Sequence, residues 1–204
     1  MMTNKILKNP EYFEIKDDKS CSVYCGCNQE WYARKWQRMA GCGPTTASNI
    51  VIYCNKVKHI DKGSAISIMN EMWDHVTPTL RGVNTTKIFY EGFLSYADSN
   101  GRKADFEVLD IPKDAANRPS YEKVIDFIKG SLEEDIPIAF LNLCNGEECR
   151  LDKWHWVTLI SLSLEKDKIF HAQILDEGMI KTIDLDLWYR TTTLGGGFVS
   201  FSMI

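Results

Sequence analysis

The sequence predicts an α+β fold in which a helical layer, built by the first half of the chain, packs on an antiparallel sheet built by the second. Three observations carry this expectation. Apolar residues up to about position 134 recur at three- and four-residue intervals, the spacing of one helix face. Later apolar residues form short β-branched and aromatic runs separated by turn residues. The connections between those runs are short, which suggests an antiparallel meander. With 204 residues, 44% of them hydrophobic, the chain can bury one substantial core. A single domain over 1–204 is therefore expected, with a helical part at about 29–134 and a sheet part at about 135–204.

The first helix grows out of "MAGCGPTTASNIVIYC", 39–54. Small residues make a turn, and Ala47, Ile50, Val51, Cys54 and Val57 then fall at helical intervals as one apolar stripe. A second helix is expected over 64–76, with Ala65, Ile68, Met69, Met72, Trp73 and Val76 inward. A third starts near the cap candidates Asn84 and Thr85 and carries Phe89, Phe93, Tyr96 and Ala97 before "DSNG" stops it. A fourth covers 120–134, using Tyr121, Val124, Ile125, Ile128 and Leu132. "DFEVLDI", "IPIAFLNL", "WHWVTLISLSL", "IFHAQIL", "MIKTIDL" and "GFVSFSMI" read as strands. The three glycines of "LGGGF" read as a loop ahead of the last of them.

A formal charge of -4, with Lys and Arg scattered, leaves no basic stripe to track phosphates, so nucleic acid is not an expected partner. The first twenty residues hold no apolar run of the signal-peptide kind, and no segment approaches membrane-spanning length. Seven cysteines are an odd number in a chain too large to need disulfide staples, which fits a reducing compartment, so the cytoplasm is expected.

Pro44 suits the first position of a helix, where its missing N–H costs nothing, which puts Cys42 at or just before the helix start. Free backbone N–H groups and the helix dipole stabilise a thiolate there and could also hold an oxyanion. Gly41 and Gly43 remove side-chain bulk on both sides, leaving room for a substrate carbonyl. A small buried cysteine is the competing explanation, and Cys54, midway along the apolar stripe, is assigned to the core on those grounds.

A nucleophile needs a base. His59 and His75 fall at the ends of predicted helices, where exposed or capping roles explain them. His155 begins a strand whose hairpin partner ends at Asp176. If the turn centres between Lys166 and Asp167, Val157 pairs with Asp176, and His155 lies diagonally from Asp176 on one face. His171 then points to the opposite face. A slip of one residue would bring Glu177 and His171 to the His155 side instead.

"GCGPTTASN", then "HWVTLISL", then "ILDEG" resemble the papain-like cysteine peptidases, and most closely the bacterial branch related to the bacteriocin-leader-processing (double-glycine) peptidases. The resemblance covers about 29–178 and implies a papain-like fold with Cys42 as nucleophile, His155 as general base and Asp176 as the acid that orients it. The family also uses an upstream glutamine as oxyanion donor, for which Gln29 and Gln37 are the candidates, Gln29 being preferred for its place in "NQEWY". No transporter accompanies the motifs here, so the double-glycine substrate class does not carry over. The implied activity is hydrolysis of a peptide or amide bond through a thioester, with no metal or cofactor. A peptide or protein is the expected substrate, with a small amide or acyl compound as the alternative.

Two competitors share the scaffold: an acyltransferase or amidase with the same triad, and a binding module that keeps only the fold. A third, a metal site from Cys21, Cys25, Cys27, Cys144 and Cys149, lacks the C-x2-C pairs of structural zinc. Trp31, Trp36, Trp154 and Trp156 are candidates to line a cleft, and the 77–87 loop to form its rim.

Overall fold

In the computed structural model, residues 4–165 and 169–203 are described. A short strand β1 (Asn4–Ile6) is followed by a hairpin of β2 (Glu14–Asp17) and β3 (Ser22–Cys25) and by a 3-10 turn, Gln29–Trp31. The helices α1 (Lys35–Ala40) and α2 (Cys42–Cys54) come next, then β4 (Ile60–Asp61), α3 (Lys62–His75) and α4 (Thr86–Ser99). Strand β5 (Ala104–Ile111) and helix α5 (Tyr121–Glu133) lead into β6 (Ile138–Asn142), β7 (His155–Leu164), β8 (Phe170–Asp176) and β9 (Met179–Asp184). Helix α6 (Leu185–Thr191) and strand β10 (Gly196–Met203) follow. The fold is mixed α+β, as expected. No described helix is long and apolar enough to cross a membrane.

The expected helices form, and of the cap candidates Asn84 and Thr85 it is Thr85 that caps the third. The side chains of Asp61, Thr85 and Ser120 accept from Ser64, Ile88 and Lys123 backbone N–H groups, so α3, α4 and α5 each start on a satisfied N-cap. Helix α2 differs from expectation. It is buried all round from Cys42 to Tyr53 rather than along one stripe, because it is sandwiched between α3 and the strands β6 and β7. Val57 lies beyond its end: Asn55 caps the helix, Lys56 takes a left-handed φ of 55°, and Val57 is exposed.

The large sheet runs β5-β10-β6-β7-β8-β9, all neighbours antiparallel, with β1 beside β7. The expected meander holds only from β6 to β9, because β10 returns to insert between β5 and β6. Gly196 and Gly197 already belong to that strand, so the glycine run is not simply a loop: a Cβ on Gly196 would fall on the Leu141 carbonyl. Nor is there a single helical layer. Side chains alternate across β6, with Ile138 and Phe140 meeting α5 and α6, and Ala139 and Leu141 meeting α2 and α4. Strand β5 forms where "DFEVLDI" reads as one, although it falls inside the 29–134 bounds given to the helical part, and β1 to β4, α1 and α6 were not expected at all. These unexpected elements are short, and α6 begins at Leu185, the last residue of "MIKTIDL".

The β7–β8 register decides which side chains meet. Thr158 pairs with Leu175 and Leu159 with Ile174, and this register continued sets Val157 opposite Asp176, as predicted. Past Leu159 it shifts by one residue, to Ser161 opposite Gln173. The expected turn at Lys166 and Asp167 lies outside the described residues.

Candidate active site

Helix α2 opens at Cys42 with Gly41 as N-cap, and Thr45 N–H donates the first helical bond, 2.9 Å, to the Gly41 carbonyl. Pro44 is thus the third helical residue rather than the first, still in the turn whose N–H groups have no intrahelical partner. The flanking glycines serve packing rather than substrate access. A Cβ on Gly41 would strike the Tyr32 ring and the Gln37 carbonyl, and one on Gly43 would stand 2.8 Å from Val83.

His155 is the first residue of β7 and Asp176 the last of β8, and His155 Nε2 lies 2.7 Å from Asp176 Oδ1. With Nε2 turned to the carboxylate, Nδ1 is left for the Cys42 side of the hollow that both residues line. Burial by itself would lower the imidazole pKa, but the Asp176 carboxylate and the Cys42 sulfur together raise it to about 10. Burial would raise the Asp176 pKa, but hydrogen bonds from His155 and Lys181, with their charges, hold it below the usual carboxylate range. The arrangement favours an imidazolium beside a charged carboxylate, with the Cys42 sulfur on its other side.

Trp154, just before His155, holds a left-handed φ of 58° that a bulky residue seldom adopts. Its carbonyl lies 4.0 Å from Cys42 Sγ while its ring stands 54% exposed. Two hydrogen bonds steady the approach to this residue: Asn142 Nδ2 donates to the Asp152 carbonyl (2.6 Å), and Trp188 of α6 donates to Asn142 Oδ1 (2.8 Å).

The two glutamines separate clearly. Gln29 lines a small hollow together with Cys42, Thr45, Asn49, His155 and Asp176. One hydrogen of its amide is used on the Arg38 carbonyl at 2.6 Å, leaving the second. Asn28 beside it donates to the Glu177 carbonyl at 2.9 Å, fastening this segment to the β8–β9 turn. Gln37 lines neither this hollow nor the cleft described next, and its Oε1 accepts the Arg34 backbone N–H at the start of α1.

On the other side of Cys42 lies a cleft of about 200 Å³. Trp36, Met39, Leu80 and Trp154 rim it, respectively 45%, 67%, 95% and 54% exposed, over a floor of Val83, Leu141 and Leu143. The 77–87 loop therefore contributes a wall, as expected. A tight turn between Thr79 and Gly82, closed by two backbone bonds of 3.1 and 2.9 Å, holds Leu80 at its tip. Of the four tryptophans expected near a cleft, Trp36 and Trp154 line this one. Trp156 is buried against Phe89 at 4.2 Å and borders the small hollow, while Trp31 packs on Tyr24 and under Lys62.

The other histidines lie elsewhere. His59 Nδ1 is 2.8 Å from Glu14, and His75, at the end of α3, is 3.2 Å from Ser95 Oγ. His171 pairs with Glu165 at 3.6 Å.

Of the cysteines at 21, 25, 27, 144 and 149, Cys27 is buried and burial pushes its thiol pKa far up, while burial raises Cys25 to about 11. Cys144 moves the other way, down to about 7, because the Thr193 hydroxyl and the Thr193 and Gly146 N–H groups bond its sulfur. Asp152, His155 and Asp176 present ligand atoms within 4.8 Å of one another. Both Asp176 oxygens are engaged, one by His155 and one by the Lys181 ammonium, so the group is a poor fit for a metal ion.

Sequence reasoning missed two residues around the triad. Asn49, two turns along α2, accepts the Cys27 N–H (2.7 Å) and donates to Thr158 Oγ1 (3.0 Å), bolting the helix to β7. Lys181 Nζ stands 2.7 Å from Asp176 Oδ2 and 2.9 Å from Glu177 Oε2. The "DEGM" hairpin signal could have revealed it, since a two-residue turn at Glu177 and Gly178 sets Lys181 diagonal to Asp176. Comparison with known families finds no family model that matches this chain, and no curated protein matches it closely enough to count as a relative.

Proposed function

We propose that this chain is a papain-like cysteine hydrolase that cleaves a peptide or amide bond through Cys42, His155 and Asp176. One observation carries the reading: an imidazole bonded to a buried carboxylate at 2.7 Å through Nε2, with the sulfur of a helix-N-terminal cysteine on its other side. The motif order that resembles the bacterial, leader-processing branch of the family supports it. His155 takes the Cys42 proton, and the thiolate attacks the carbonyl carbon. The Cys42 N–H and the second Gln29 amide hydrogen hold the oxyanion. The imidazolium gives its proton to the departing amine, leaving a thioester that water opens to release the acid and restore the thiol. The apolar cleft rimmed by Trp36, Leu80 and Trp154 suits a substrate with a large apolar side chain near the scissile bond. The seven unpaired cysteines suit a reducing compartment such as the cytoplasm.

Incubation with peptide libraries and with acyl-thioesters tests the reading. Peptide turnover that disappears in Cys42→Ser supports it. Turnover of thioesters alone would transfer the site to an acyltransferase on the same scaffold. Cys42 alkylating no faster than a free thiol would leave a binding module.

A further inference from the structure

We propose that Lys181 is a positioning residue of this site: its ammonium holds the Asp176 oxygen that His155 leaves free, keeping the carboxylate charged and aimed at the imidazole. The inference rests on the triad reading but on separate contacts. Asp176 and Met179 lie either side of a turn in which Glu177 and Gly178 take φ of 54° and 75°. Across it Asp176 pairs with Met179 and Ile174 with Lys181, so Lys181 shares a face with Asp176 one diagonal step away. Nζ then bridges Asp176 Oδ2 at 2.7 Å and Glu177 Oε2 at 2.9 Å.

A carboxylate with one oxygen bonded and one free can rotate about its Cβ–Cγ bond. With Oδ1 on His155 and Oδ2 on Lys181 it has one orientation. The Asp176 side chain is only 5% exposed and Lys181 26%, so water competes poorly for either. The charged groups that bear on this pair are His155 and Cys42 from β7 and α2, Asp152 ahead of β7, and Glu177 in the turn. Lys181 is the cation among them that does not depend on the proton shared by Cys42 and His155. It keeps Asp176 from becoming a second proton acceptor inside the site.

The test follows the His155 ring by NMR, with assignment by His155→Gln, alongside the rate of Cys42 carboxamidomethylation between pH 4 and 11.5. Both use a Cys144→Ser background with peptide mapping. Removing a cation raises every neighbouring pKa, so Lys181→Met should move the His155 titration and both limbs of the alkylation profile to higher pH by about 0.5–1 unit. Lys181→Arg should restore the wild-type midpoints. Glu177→Gln, which removes a negative charge from the same cluster, should move them the other way by less. It does so without disturbing the buried carboxylate, so it serves even if Lys181→Met folds poorly. A purely structural lysine would lower thermal stability with all midpoints in place, and unmoved midpoints in Lys181→Met or Glu177→Gln overturn the inference. Slow alkylation of wild-type Cys42 would defeat the hydrolase reading instead, and the NMR midpoints would still decide the role of Lys181.

Discussion

Replacing Asp176 by Asn tests the proton logic of the site more sharply than deleting it. Two donors converge on Asp176: His155 Nε2 at 2.7 Å and Lys181 Nζ at 2.7 Å. A carboxylate accepts both, but an amide offers one oxygen and one NH2 group. The ammonium can only donate, so the amide oxygen goes to Lys181 and its NH2 faces the imidazole. His155 must then present an unprotonated Nε2 and carry its proton on Nδ1, toward Cys42, where no lone pair is left to take the thiol proton. At pH 6.5 an unassisted thiol of ordinary pKa about 8.5 is about 1% thiolate, so loss of the ion pair should slow Cys42 carboxamidomethylation by up to about 100-fold. The deficit should close as pH approaches 9, when a thiol ionises without help. The assay is iodoacetamide labelling from pH 5 to 9 with the Cys42 peptide quantified by mass, since Cys144, lowered to about 7, reacts as well. An Asp176→Asn protein that labels at the wild-type rate at pH 6.5 would show that the carboxylate does not set the proton on His155, and the argument would fail.

Gln29→Ala should cut turnover of an identified substrate by about 10- to 1,000-fold while Cys42 alkylation is unchanged, because an oxyanion donor acts on the tetrahedral state alone. Gln37→Ala should leave turnover untouched and lower thermal stability by no more than about 1 kcal/mol, through the lost bond from the Arg34 N–H. Leu80→Ser should raise KM for apolar peptides without lowering Tm, since the side chain it replaces is 95% exposed; a large fall in Tm would contradict the open rim. The raised His155 pKa fixes a sign. Its stabilising contribution is complete below about pH 6.5, the ordinary histidine value, and disappears as pH rises toward about 10, so wild-type Tm should fall across that window more steeply than that of His155→Gln.

Much of the site was legible because it depends on local signals. A Gly-Pro pair marks a helix start, and hairpin pairing near Thr158 and Leu175 sets His155 beside Asp176. The one-residue shift beyond Leu159 changes the register only away from the site, on the turn side. What stayed hidden depends on distant partners. Gly43 reads as open space beside a nucleophile, and only the fold brings Val83 against it. Helix α2 reads as one-sided until α3 and β7 enclose it. Helix α6 has a signal in Asp184, which caps Leu187 N–H at 2.8 Å, but it follows a strand without a break. Gln29 and Gln37 could not be separated by spacing, because the difference between them is which one faces the hollow beside Cys42.

The place of β10 has a consequence for how the molecule assembles. It bonds to β5, ending at Ile111, on one side and to β6, beginning at Ile138, on the other, although it starts at Gly196. Until this late segment arrives, β5 and β6 each carry an open edge, and the sheet is two fragments rather than one. Closing loops of that length makes the step slow relative to helix formation. Leu141 and Asn142, which face the cleft and brace the turn before His155, pair with Gly197 and Gly196. The cleft floor and the brace ahead of His155 are therefore complete only once the strand at 196–203 has docked.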